Sequence, residues 1–129
     1  MPDPSTTCVF CSLLSAPHLE PIAENTFAIA IPDAVPLAKG HTLVISRKHA
    51  PEPFALPLAE FLGISELTWK VQSILRNHYG PDGFNIGVNA GEAAGQVVMH
   101  AHIHIIPRYV GDQRKVRGGI RRLFVPGAT

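Results

Sequence analysis

The stretch His100-Ala101-His102-Ile103-His104-Ile105-Ile106 alternates imidazole with small or aliphatic side chains. A period of two is the signature of a β-strand with unlike faces. As a strand it turns its three imidazoles to one side and Ala101, Ile103 and Ile105 to the other. A single buried histidine is ordinarily a satisfied core residue, but three in a row are a costly way to fill a core, because each brings a polar ring. Neighbouring rings would stand about 6.5–7 Å apart along the strand. Two chemistries use such a set: a three-histidine metal site, and nucleophilic catalysis by an imidazole flanked by orienting groups. In a straight strand the outer two positions are roughly 13 Å apart at the backbone, which makes it hard for one ion to collect all three rings and favours the nucleophile.

Working outward, the strand is expected from about Val97 to Ile106, with the Gly-rich turn AGEAAGQ (90–96) leading in and Pro107 stopping it. Upstream, Thr26–Ile31, His41–Ser46 and Phe84–Asn89 also read as strands. The first two are joined by PDAVPLAKG (32–40), whose prolines and glycine forbid regular structure for long. Apolar residues at Phe61, Leu62, Leu67, Val71, Ile74 and Leu75 predict an amphipathic helix over Ala59–Tyr79, closed by Gly80 and Pro81. A short helix is expected over Val9–Leu14, after a loose end at Pro2–Thr7. Hairpin-length links between strands, with a single long helix among them, predict an α+β domain with an antiparallel sheet.

The chain has 129 residues, 46% of them apolar and 16% charged, with a formal net charge of +1. This is the size and composition of one folded domain, 1–129, with its core over about 8–112. Seven histidines are many for so short a chain. The near-neutral total hides an asymmetry: Arg108 to Arg122 carries six bases against the single acid Asp112, so the tail (108–129) is basic and the remainder acidic. A charge run is usually a solvated face; the alternative is a local field for an anionic ligand. The overall charge argues against a general nucleic-acid binder. No apolar run is long enough to span a bilayer, and the first seventeen residues carry an acid and no base, unlike a signal peptide. A cytoplasmic protein with no membrane partner is expected. The two cysteines, Cys8 and Cys11, form a C-x-x-C, which fits zinc, redox chemistry or two buried thiols.

HAHIHII resembles the signature of the histidine triad (HIT) family, three histidines alternating with hydrophobic residues. PDAVPLAKGHTLVISRKH (32–49), NAGEAAGQ (89–96) and PRYVGD (107–112) are similar to the matching family segments, so the resemblance covers about residues 8–112. It implies a five-stranded antiparallel sheet with two helices, dimerising into a continuous sheet. It also implies nucleotide hydrolysis or transfer at the α-phosphate of dinucleoside polyphosphates or nucleoside phosphoramidates. The alternatives are a dinucleoside polyphosphate phosphorylase and a non-catalytic nucleotide-binding adaptor or sensor.

By this resemblance His102 is the nucleophile and His104 orients substrate or protonates the leaving group. Asp33 binds the ribose; read alone, it is a turn-forming residue after Pro32. Val9, Phe10, Ile31 and Ala34 wall the base, and with no polar group among them discrimination between purines should be weak. Asn89, Gln96 and Val97 stand near the phosphate. Many relatives carry Ser or Thr where Val97 stands, so a hydroxyl contact is missing here. Zinc is implied through Cys8, Cys11, His49 and His100, which would withdraw His100 from the chemistry. Arg117, Arg121 or Arg122 is expected to approach a polyphosphate. His18, His41 and His78 have no comparable support and read as surface or packing residues.

Overall fold

The computed structural model of the chain describes residues 7–113 and 116–124. Most of the expected loose N-terminal end (1–6), Arg114 and Lys115 of the basic tail, and residues 125–129 lie outside the described residues. Cys8 caps the first helix, its Sγ accepting the Cys11 N–H at 3.4 Å, and α1 runs Val9–Leu14. A short strand, β1 (Ala23–Glu24), precedes β2 (Ala28–Pro32) and β3 (Thr42–Ser46). Then come α2 (Leu58–Tyr79), β4 (Gly83–Gly87) and β5 (His102–Arg108). The strands form one antiparallel sheet in the order β1-β2-β3-β5-β4. This is the five-stranded sheet with two helices that the resemblance implies. Among the described residues no helix is long and apolar enough to cross a membrane.

β4 ends at Gly87 rather than at Asn89, and the departures of β2 and β5 from expectation have local causes. β2 starts at Ala28, not Thr26, because Asn25 Oδ1 accepts the N–H groups of Phe27 (2.9 Å) and Ala28 (2.8 Å) in a turn. β5 starts at His102, because residues 97–101 use their backbone elsewhere. His100 N–H donates to Val98 O (2.9 Å), and Ala101 N–H donates to Ala50 O (2.7 Å). Nor does Pro107 stop the strand. It pairs with Phe84 of β4 and lies beyond the last β3–β5 pair, Thr42 with Ile105, where no donor toward β3 is needed.

The two sheet faces have different partners. On one, α2 packs Ile64, Leu67, Val71 and Leu75 against Ala28, Ala30, Val44, Ile103 and Ile105. Burying each such aliphatic side chain contributes about 1.5–3 kcal/mol. The helix sits close: a Cβ on Gly63 would come within 2.3 Å of the Phe27 ring. Gly80, left-handed at φ 58°, ends the helix with its N–H on Arg76 O at 3.1 Å. On the other face Ile29, Ile31, Leu43 and Ile45 meet Phe10 of α1. Register puts His102 opposite Ile45 and His104 opposite Leu43. Both imidazoles therefore share the face of α1, while Ile103 and Ile105 point to α2.

Candidate functional site

Between α1 and this second face lies a cavity of about 620 Å³, in the range of ligand sites. Val9 and Phe10 of α1, with Ile31 of β2, supply apolar wall, joined by Leu13, Leu19 and Leu43, which the sequence did not single out. Asp33 and Ala34 line it from the loop after β2, and Asn89, Gly95 and Val97 from the segments before β5. His102 and His104 line it from β5.

His102 Nδ1 is 2.6 Å from His100 O. A carbonyl only accepts, so Nδ1 carries the proton and Nε2 keeps its lone pair. No described residue engages that lone pair. The Phe10 ring meets His102 edge-on, centroids 5.1 Å apart, and bounds its swing.

His104 is set by a residue that sequence reading passed over. The Leu37 N–H donates to His41 Nδ1 at 3.0 Å. That leaves the His41 proton on Nε2, which lies 3.0 Å from His104 Nδ1 and 3.4 Å from Asp33 Oδ2. His104 Nδ1 accepts, so its own proton sits on Nε2, and among the described residues nothing accepts it. Burial lowers the pKa of both His41 and His104; His102 and His41 add to this at His104, and Asp33 opposes it at both. Both rings are thereby held neutral, as the bonds require. Asp33 keeps the turn role as well, its Oδ1 accepting the Val35 N–H at 2.8 Å. The only sequence signal for His41 was its place at the head of the strand that pairs with the triad strand.

Two clusters have the composition of a metal site: Cys8, Cys11, His49 and His100, and Asp33, His41 and His104. In the first, the Cys Sγ to His Nδ1 separations are 3.3, 3.3 and 3.5 Å, and the two Nδ1 atoms are 3.2 Å apart. A tetrahedral zinc with ordinary bond lengths requires edges of about 3.6 Å for S–N and 3.4 Å for N–N. The protonation also fits: His100 Nε2–H donates to Ser46 O at 2.7 Å, turning a lone pair on Nδ1 toward the thiols. The second cluster does not fit. The Leu37 amide on His41 Nδ1 forces the proton onto Nε2, the atom a metal would need.

Gln96 does not line the cavity. It is buried behind the Gly-rich turn, where Oε1 accepts the Gly91 N–H (2.8 Å) and Nε2 donates to Pro51 O (2.6 Å) and Val98 O (3.0 Å). This braces the turn that carries Gly95, left-handed at φ 91°, and Val97, which is 89% exposed. In the tail, Arg108 is committed to Asp112, with two bonds of 2.8 Å, and to Asn85 at 2.6 Å. Gly119 lies beside Asn85 of β4. Arg117, Arg121 and Arg122 do not line the cavity of their own chain.

Fold and site together define a small α+β domain carrying a histidine-lined pocket on the α1 face of its sheet. The chain belongs to the HIT family: the HIT domain model matches residues 20–111. It is 35% identical to adenosine 5'-monophosphoramidase hnt1 of Schizosaccharomyces pombe over 104 residues, 79% of this chain and 74% of that protein. It is 35% identical over 117 residues to adenylylsulfatase HINT3 of Arabidopsis thaliana, covering 89% of this chain and 59% of the relative. Among solved structures, a Zn-bound histidine triad family protein from Mycobacterium smegmatis superposes with a TM-score of 0.77 at 35% identity, over 88% of this chain and 83% of that one.

Proposed function

We propose that this protein is a nucleotide hydrolase or transferase that attacks the α-phosphate of dinucleoside polyphosphates or nucleoside phosphoramidates through His102 and releases a nucleoside monophosphate. The observation that carries the reading is the bond from His102 Nδ1–H to His100 O, which leaves Nε2 unprotonated on a residue lining the cavity. Nε2 attacks phosphorus, a P–N bond forms, and the bond to the leaving group breaks with its electron pair. The positive charge that the ring gains is stabilised by the His100 carbonyl on Nδ1–H. Water then attacks the nucleotidyl-histidine, returning the lone pair to Nε2 and a proton to solvent. Such chemistry depends on positioning and charge stabilisation more than on strong acids.

His104, held neutral, is a hydrogen-bond donor through Nε2–H and not an acid, which assigns it to orienting a phosphate oxygen or the leaving group. A polyphosphate leaves as an anion and needs no proton; the nitrogen of a phosphoramidate takes a proton from solvent as the P–N bond to it breaks and departs as the neutral amine. Asp33 accepts from the ribose hydroxyls, and the apolar wall holds the base. Asn89, the backbone of Gly95, and Val97 border the phosphate; Val97 contributes no hydroxyl there, and Gln96 acts from behind by bracing the turn. Cys8, Cys11, His49 and His100 would hold zinc in a structural role, which would cross-link α1 to the segment leading into the strand that bears the nucleophile. A homodimer forms by joining the open β4 edges of two sheets, which brings the basic tail of one chain toward the site of the other.

Purified protein should release AMP from a diadenosine polyphosphate or from adenosine 5'-phosphoramidate, and His102→Ala should abolish release while leaving AMP binding intact. Turnover by that variant at the wild-type rate overturns the mechanism. AMP binding with no turnover of either substrate would place the protein among non-catalytic binders instead.

A further inference from the structure

The cavity is lined by a second carboxylate that the proposed nucleotide chemistry leaves unused. Glu20 lines it, following Leu19 in the segment between α1 and β1. Unlike Asp33, whose oxygens face the Val35 amide and His41, Glu20 is exposed and has no hydrogen bond or ion pair within the described residues. Phe10, Leu13 and Leu19, which line the same cavity, offer a purine only apolar contact.

Taking the nucleotide reading of this pocket as given, the phosphate lies against His102 and His104 and the ribose against Asp33. The base then extends along the apolar wall, and the purine edge farthest from its sugar is the Watson–Crick edge. A carboxylate is an acceptor only and binds best where two donors stand side by side. Guanine presents N1–H and the N2 amine together. Hypoxanthine presents N1–H alone. Adenine presents the N6 amine next to the N1 lone pair, so one carboxylate oxygen would be matched and the other opposed. We propose that Glu20 is a specificity-determining residue that makes this pocket prefer guanine nucleotides to adenine nucleotides. This replaces the weak purine discrimination expected from an apolar wall alone.

Calorimetric titration of the full chain with GMP, IMP and AMP tests this directly. Because Glu20 stands at a wet rim, its charge-assisted bonds will be weaker than buried ones, and GMP should bind roughly threefold to tenfold tighter than AMP, with IMP between them. In Glu20→Ala and Glu20→Gln the GMP:AMP ratio should fall toward one, chiefly by loss of GMP affinity. Equal binding of the two nucleotides by the wild-type chain overturns the proposal while leaving the nucleotide site in place. So does a GMP preference that survives both substitutions. If no nucleotide binds, the reading of the pocket fails and this proposal with it. Thermal melting of both variants at the wild-type temperature checks that an exposed side chain has been changed without loss of fold.

Discussion

His41 Nε2 lies 3.0 Å from His104 Nδ1, and the Leu37 amide on the far side of the His41 ring decides which of the two holds the proton. One backbone N–H thus sets the tautomers of two side chains and leaves His104 Nε2–H free to donate. His41 therefore acts as a positioning residue. Its substitution by Ala should leave His104 free to exchange tautomers and lower kcat about 10–100-fold, as loss of a supporting bond typically does, with a smaller change in KM. Long-range 15N–1H spectra provide the independent check. In the wild type His104 should be the Nε2–H form, and in His41→Ala a mixture. A single unchanged tautomer in the variant would refute the relay.

The same two rings set a pH dependence of stability. Burial lowers both pKa values below the ordinary histidine value of 6.5, mainly by penalising the charged form, and the opposing effect of Asp33 does not cancel it. In the unfolded chain these histidines take up protons near pH 6.5, so below that pH the unfolded state binds more protons than the folded one. Stability contributed by keeping the rings neutral is present above about pH 6.5 and is lost as pH falls through the lowered folded values. Urea midpoints should accordingly drop between pH 7.5 and 5.5. In a His41→Gln, His104→Gln double variant the drop should be smaller. An equally steep drop there would move the dependence to other groups.

How much of this was legible in one dimension depends on the range of the interaction. The alternation of His102, Ile103, His104 and Ile105 and the apolar spacing along α2 are local periodicities, and they fixed which face each residue takes. C-x-x-C is a local motif too. The His41–His104 contact spans 63 positions and exists only because β3 and β5 pair in one register, so nothing adjacent to His41 announces it. β1 has two residues, too few for any period to register. The late start of β5 follows from bonds to Ala50 and Val98 that a strand pattern does not contain. Gln96 and Glu20 show the same limit: one turns behind the loop and the other to the cavity rim, although both are ordinary polar residues in sequence.

Gly63 marks the tightest approach of α2 to the rest of the fold. Its carbonyl accepts from Asn25 Nδ2 at 2.8 Å, and the Phe27 ring occupies the place of a side chain. Gly63→Ala gains helix propensity worth about 1 kcal/mol, but a methyl 2.3 Å from an aromatic carbon must displace the ring or the helix. Overpacking of this kind costs about 1–3 kcal/mol. The net expectation is a lower melting temperature with unaltered KM, because this contact lies across the sheet from the cavity. A variant as stable as the wild type would show that Phe27 relaxes outward at little cost.

His100 joins the metal cluster to the nucleophile: its Nδ1 faces Cys8 and Cys11 while its carbonyl takes the His102 proton at 2.6 Å. Phe10, between the two cysteines in sequence, touches the rings of both His100 and His102. Protein prepared without chelator should hold about one zinc per chain, the number a Cys2His2 site takes, and cobalt should replace it with the absorption of a tetrahedral thiolate complex. Ligand binding to the folded state alone contributes about 2.7 kcal/mol at a hundredfold excess over Kd, so chelation should lower the melting temperature by on the order of 10 °C in a domain of this size. Cys11→Ser should produce the same loss and abolish the cobalt spectrum. Because α1 would then no longer be tied to His100, the 15N signals of His102 should broaden on chelation and recover when zinc is restored. Metal-free protein with an unchanged melting temperature and sharp His102 signals would leave the cluster as four packed side chains and no more.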